Sequence, residues 1–351
     1  MRRLITALIV MWLLMPVCRG AGEEYDLEQY WRQTQSYGIS GDITLEQGMK
    51  GLWAEALEQV KGLLRPGIRC GVELLAVVLL CGLAEGACVG KTALDAVRLA
   101  GALAVTTLSI SSVDSMIGLG RETIAAMERF SAFLLPVVAV LTAATGSYTA
   151  AAAHQGVTVL FTQLLIQLID QLLIPMVYGY IAVCCACAAV GNEGLKKLGG
   201  MLKGGVTSIL TAVLLVFVGY LTLSGAIAGS ADAAAVKAAK MAISRTVPVV
   251  GGILSDAAEA ALVGAGMLRG SVGAAGALVV LAICMVPFLQ LAVHYLTYKL
   301  TAALVGTVAE ARLSALLDGI GGAFGLVLGM TGTCAMMLLF SIVSAVSAVS
   351  G

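Results

Sequence analysis

Residues 204–231 carry no acid or base except Tyr220, and residues 319–351 carry none except Cys334. A hydrocarbon core about 30 Å thick is crossed by about 20 apolar helical residues, so uncharged runs of this length read as membrane spans. The rest of the chain agrees. Charged residues make up 12% of it and hydrophobic residues 59%, whereas an ordinary soluble domain is about 25% charged. The net charge is zero, which leaves no basic footprint for nucleic acid. The reading is an all-α, polytopic membrane protein whose first partner is the lipid bilayer itself.

An internal spacing organises the apolar runs. One unit, Leu135-Pro136-Val137-Val138, is matched by Val247-Pro248-Val249-Val250 at an offset of 112 residues, and Pro175 and Pro287 repeat that offset. Only six prolines occur in the chain, so two pairs at one spacing point to duplication. Shifting the chain by 112 residues lays the span at 93–118 on the span at 205–230, and the charged helix from Arg121 on residues 233–245. Each copy reads as span, amphipathic helix, Pro-Val-Val segment and long proline-containing run. Lys91, the pair Lys196 and Lys197, and Arg312 precede three equivalent spans. The positive-inside rule puts all three on the cytoplasmic side, so the copies are expected to be parallel. The same rule conflicts with the basic helices at Arg121 and Lys237, which this arrangement places outside. The expected total is about eight mature transmembrane helices.

The chain divides accordingly. Residues 1–21 have the form of a signal peptide, with Arg2 and Arg3 before an apolar stretch and small residues after Pro16. An uncleaved anchor, or a lipoprotein modified at Cys18, is an alternative. Residues 22–66 form an extracytoplasmic polar segment. Within it Leu45, Met49, Leu52, Ala56, Val60 and Leu63 recur at helical intervals. That amphipathic helix lies on the membrane, docks on a partner, or covers the protein's own membrane domain. Residues 67–92 are the first span, 93–204 and 205–316 the two repeats, and 317–351 a terminal span with a partial third copy.

Few residues carry chemistry. Asp170 is the only acid between Ser131 and Asn192 and falls in an apolar run, 157–190, too long for one untilted span. A break between Asp170 and Pro175 makes that run a hairpin or two half-helices. Asp170 then either lines a solvated pathway or sits at a hairpin tip among headgroups. Pro136, Pro175, Pro248, Pro287 and Asp256 are candidate pathway or hinge residues, because proline frees a backbone carbonyl; kinks that serve only packing are the plainer alternative. Gly82, Gly86 and Gly90, and likewise Gly321, Gly325 and Gly329, form one-face stripes suited to close helix packing. Cys184, Cys185 and Cys187 are read as apolar fillers rather than soft-metal ligands. His154 and His294 are far apart, no acid–His–nucleophile set appears, and no phosphate-binding glycine motif is present. No enzyme, metal or cofactor is expected.

The order of several stretches resembles the stage III sporulation protein AE family of endospore-forming bacteria. They are Leu135 to Val138 with Leu141-Thr142-Ala143, the Leu173-Ile174-Pro175 run, Leu223-Ser224-Gly225, and Val247 to Gly251 continuing to Ser255-Asp256-Ala257. The resemblance implies a multi-pass protein of the mother-cell (outer forespore) membrane. It implies partners among the other stage III sporulation proteins of the same operon and stage II sporulation protein Q on the forespore side. It implies a channel or secretion-like complex supporting endospore development and late forespore gene expression. The alternative is a small-solute transporter permease.

Overall fold

Long apolar stretches with few helix breakers fold here into long continuous helices. The structure is a computed structural model, and it describes residues 45–144, 160–223, 271–308 and 311–349. Helix α1 covers Leu45–Ala87 and α2 covers Lys91–Ala144. Helix α3 covers Leu160–Val190 and α4 covers Glu193–Leu223. Helices α5, Ser271–Val308, and α6, Ala311–Val349, complete the set. All six are long and apolar enough to cross a membrane, and no strand occurs among the described residues.

Six such helices occur among the described residues, where neighbouring elements that read separately in the sequence fuse. The amphipathic segment and the first span form one 43-residue helix running through Pro66. Next to that proline, Gly67 packs closely on Val293 and Thr297 of α5. Helix α2 joins a span, the charged stretch from Arg121 and the segment holding Pro136 into 54 residues, about 80 Å of helix. That is more than twice a hydrocarbon core of about 30 Å, so α2 extends beyond the membrane or tilts steeply. The 157–190 run does not break either: α3 continues through Asp170 and Pro175. Pro287 lies inside α5. Pro248, Asp256, His154 and the signal-peptide stretch lie outside the described residues.

Contacts fix the relative directions. Leu52 meets Leu278 and Ala282, and Gly71 meets Thr297 and Thr301, so α1 and α5 run parallel. Gly101 faces Leu313 and Gly120 faces Val327, so α2 and α6 run parallel. Phe161 packs on Phe217 while Gly205 meets Met176, which makes α3 and α4 an antiparallel hairpin. Gly319 abuts Cys184 of α3, and Arg312 lies against Gly191. The turns at 88–90 and 191–192 therefore gather at one end with Val308 of α5 and Ala311 of α6, and α2, α4 and α6 all run away from it.

Helix α6 is the hub. Every described residue from 319 to 339 is buried, including Gly321, Gly325 and Gly329. A side chain added at Gly321 would press on Tyr298 of α5, its Cβ only 3.1 Å from that of the tyrosine. Tyr298 and Phe324 meet edge to face with centroids 5.1 Å apart, a geometry favoured by the ring quadrupoles. Ser314 donates to the Ala302 carbonyl at 2.8 Å and ties the α5–α6 hairpin. The other glycine stripe differs: Gly82, Gly86 and Gly90 face open space within the chain.

The α3–α4 turn depends on a left-handed residue. Gly191 has φ 71°, and its N–H donates to the Cys187 carbonyl at 2.7 Å, an αL helix stop. Asn192 Oδ1 accepts from the Gly194 N–H at 2.7 Å. A methyl group on Gly191 would overlap the Arg312 guanidinium, with Cζ at 2.4 Å. Gly191→Ala is expected to cost roughly 1–2 kcal/mol from backbone strain alone, more if Arg312 cannot move aside. Thermal unfolding in detergent measures it; an unchanged midpoint would show that the turn is not strained.

Candidate functional site

Polar side chains in these helices gather at two levels. The first is held by α2 and α3. Arg121 Nε donates to Asp170 Oδ1 at 3.2 Å. About two helical turns nearer the gathered turns along α2, Asp114 Oδ1 accepts from the Tyr178 hydroxyl at 3.3 Å. Asp170 is therefore neither at a hairpin tip nor in a helix gap. It lies in a π-helical segment, Ile169–Leu173, in which the Ile174 N–H reaches back to the Ile169 carbonyl. Pro175 explains the widened turn. Its ring crowds the carbonyl four residues earlier and it has no N–H to offer, so a longer-reach bond spares the helix a break.

The second level joins α3 to α6. Lys299 and Asp318 form an ion pair across the α5–α6 hairpin. Lys203 of α4 and Tyr180 of α3 converge on Gly322. A Cβ there would lie 3.6 Å from the Lys203 ammonium and 3.0 Å from the Tyr180 hydroxyl.

Ten residues of α3 separate Asp170 from Tyr180, so the levels are about 15 Å apart. That is half of a hydrocarbon core of about 30 Å, and any stretch of about 20 residues of α3 includes Asp170, Tyr180 or both. At least one charged level therefore lies at core depth, where ionised groups face protein or water rather than lipid tails.

A crevice of about 750 Å³ at the α2–α3 seam runs from Asp114 and Tyr178 toward the gathered turns, with Ile320 in its lining. Its polar lining comes from Thr106, Ser109, Ser111, Asp114 and Tyr178. Thr106 gives its hydroxyl to the Ala102 carbonyl at 2.7 Å. Ser109 is 1% exposed, and its hydroxyl lies beside that of Tyr298. Hydroxyls and a carboxylate lining a crevice between spanning helices suit this seam to polar contents.

Of the residues singled out in the sequence, Asp170 and Pro175 fall at this seam. Pro136 lies farther along α2, and Pro287 lies in α5 away from the crevice lining. Cys184, Cys185 and Cys187 diverge: Cys184 faces Gly319, Cys185 lines the crevice, and Cys187 reaches the Asn192 carbonyl. Asp114, Tyr178 and the Lys203–Lys299–Asp318 group had not been singled out. A signal for the first was present. Thr106, Thr107, Ser109, Ser111, Ser112, Asp114 and Ser115 crowd one span, a density of polar groups that lipid alone does not favour.

Comparison with known proteins follows the same line. The family model described as stage III sporulation protein AE matches residues 38–349. The stage III sporulation protein AE of Bacillus subtilis (strain 168) is 23% identical over 213 residues, covering 61% of this chain and 53% of that protein. The chain thus matches about half the length of this curated relative. No solved structure matches. With the family model covering nearly all of the described helices, the chain belongs to the stage III sporulation protein AE family.

Proposed function

We propose that this protein is the multi-pass membrane component of a channel or secretion-like complex joining mother cell and forespore. It resides in the mother-cell (outer forespore) membrane. It works with other stage III sporulation proteins of its operon and with stage II sporulation protein Q from the forespore side. The family match over residues 38–349 carries this reading. Six spanning helices with charged groups at core depth support a membrane role that handles polar matter rather than a passive anchor. The reading includes no catalytic step. It keeps the duplication at 93–204 and 205–316, supported by the common direction of α2 and α4 behind basic turns.

A permease for a small solute is the second reading, favoured by the polar crevice at the α2–α3 seam. Deleting the gene in its host separates them. Normal engulfment followed by small forespores and a silent late forespore reporter is expected. Normal spores with a defect in uptake or export of a solute would replace the channel with the permease.

A further inference from the structure

The charges near the gathered turns do not balance. Arg98 is met by Glu85 and Asp95, Lys196 by Glu193, and Lys299 by Asp318. Lys203 is different. It is half-buried between helices, and among the described residues no carboxylate reaches its ammonium. The charges of Lys299 and Asp318 both act on it. The cluster thus holds two ammonium groups against one carboxylate.

The Asp318 carboxylate beside it is already taken by Lys299, and a hydroxyl donor stands close by. The Tyr180 hydroxyl, on a side chain only 6% exposed, points to the same place over Gly322. Gly322 lets the hydroxyl and the ammonium come close to the α6 backbone, since a Cβ there would press on the hydroxyl. An anion with several acceptor oxygens satisfies such a set, and a phosphate group supplies both the charge and the oxygens. Lys91, Lys196, Lys197 and Arg312 stand at the same end of the molecule. The positive-inside rule assigns that end to the cytoplasmic leaflet, where anionic phospholipids attract basic pockets between helices.

We propose that Lys203, with Lys299 and the Tyr180 hydroxyl, forms a binding site for a phosphate group, supplied by an anionic phospholipid headgroup or by soluble phosphate. The site stands on local charge and geometry and is independent of the sporulation reading.

The test uses the full chain, delipidated in detergent and returned to nanodiscs of phosphatidylglycerol or of phosphatidylcholine. Retained lipid is measured by native mass spectrometry and stability by thermal melting. Native protein is expected to retain phosphatidylglycerol preferentially. Lys203→Gln is expected to reduce that retention about fivefold, the effect of one lysine at an anionic surface. Lys203→Arg should preserve it, and so should Lys197→Gln, which removes an exposed charge outside the cluster. Inorganic phosphate added to phosphatidylcholine discs decides the source. Lys203-dependent stabilisation by phosphate there, without a phosphatidylglycerol preference, upholds the site and makes soluble phosphate its occupant. The native chain supplies a comparison that needs no variant to fold. If it shows neither lipid preference nor a response to phosphate, the site does not exist. Equal retention by Lys203→Gln would also overturn it.

Discussion

Placing leucine at Gly120 is expected to separate α2 from α6 and remove most of the folded protein from the membrane. A Cβ at Gly120 would lie 2.3 Å from Val327 Cγ1, with Thr331 Oγ1 at 3.7 Å. No relaxed Cβ contact is that short. Val327 is 3% exposed and belongs to the stretch of α6 buried on all sides, so it has little room to yield. Overpacking a close-packed interior costs typically about 1–3 kcal/mol for a small insertion. Gly120→Ala should fall in that range, and Gly120→Leu beyond it. In a bilayer the penalty has no hydrophobic compensation, because lipid tails are as apolar as the displaced contacts and small residues are what let the helices approach. Combining Gly120→Ala with Val327→Ala should recover part of the loss by returning the volume. Melting midpoints in detergent and the amount of protein in isolated membranes measure both effects. If Gly120→Leu melts like the native chain, α2 does not pack on α6 through this glycine.

Gly120 also shows which parts of the fold could be read from sequence. Periodicity and uncharged length revealed helices, the membrane and the end where the basic turns gather, because these follow from local composition. The glycine stripe at 321, 325 and 329 could be placed on one helix face by spacing alone, and it proved to lie in the hub. The stripe at 82, 86 and 90 had the same spacing, yet it faces open space within the chain. Spacing records that a face is smooth but not whether a neighbour occupies it. Element boundaries were harder to place for a related reason. Prolines and charges look like boundaries, yet Pro66 and Pro287 lie inside helices, and Asp170 with Pro175 produces a π segment instead of a break. Packing from neighbouring helices decides between a break and a widened turn, and that packing is non-local. The Lys203–Lys299–Asp318 group draws on three helices from distant parts of the chain, so no local pattern could announce it. Asp170 was legible as an isolated acid in an apolar run; its partner Arg121, 49 residues earlier, was not.

That partner makes the Asp170 prediction sharper than a simple loss. Asp170→Asn keeps size and shape but removes the charge that answers Arg121. The pair is about half-exposed on the chain, at 57% and 46%. In water such a pair would matter little. At membrane depth it matters more, because an unanswered arginine at the centre of a spanning helix costs roughly 2.5–3.5 kcal/mol on insertion scales. The single variant Asp170→Asn is therefore expected to lose most spore formation, with less protein in the membrane or a displaced α3. Arg121→Gln alone leaves the acid unanswered and should fail in the same way. The double variant is uncharged at both positions, so it separates two roles. If the pair serves only to neutralise charge, Asp170→Asn with Arg121→Gln restores protein level and sporulation together. If the pair conducts or orients polar matter along the α2–α3 seam, the double variant restores protein level but not sporulation. Full sporulation by Asp170→Asn at normal protein level would remove the pair from both roles. The crevice bears on these outcomes in advance: Asp114 and Tyr178 lie on the same seam, about two helical turns from this pair toward the second charged level. A polar path needs continuous acceptors and donors, whereas charge neutralisation needs only two residues. The expected outcome is recovery of protein without recovery of spores.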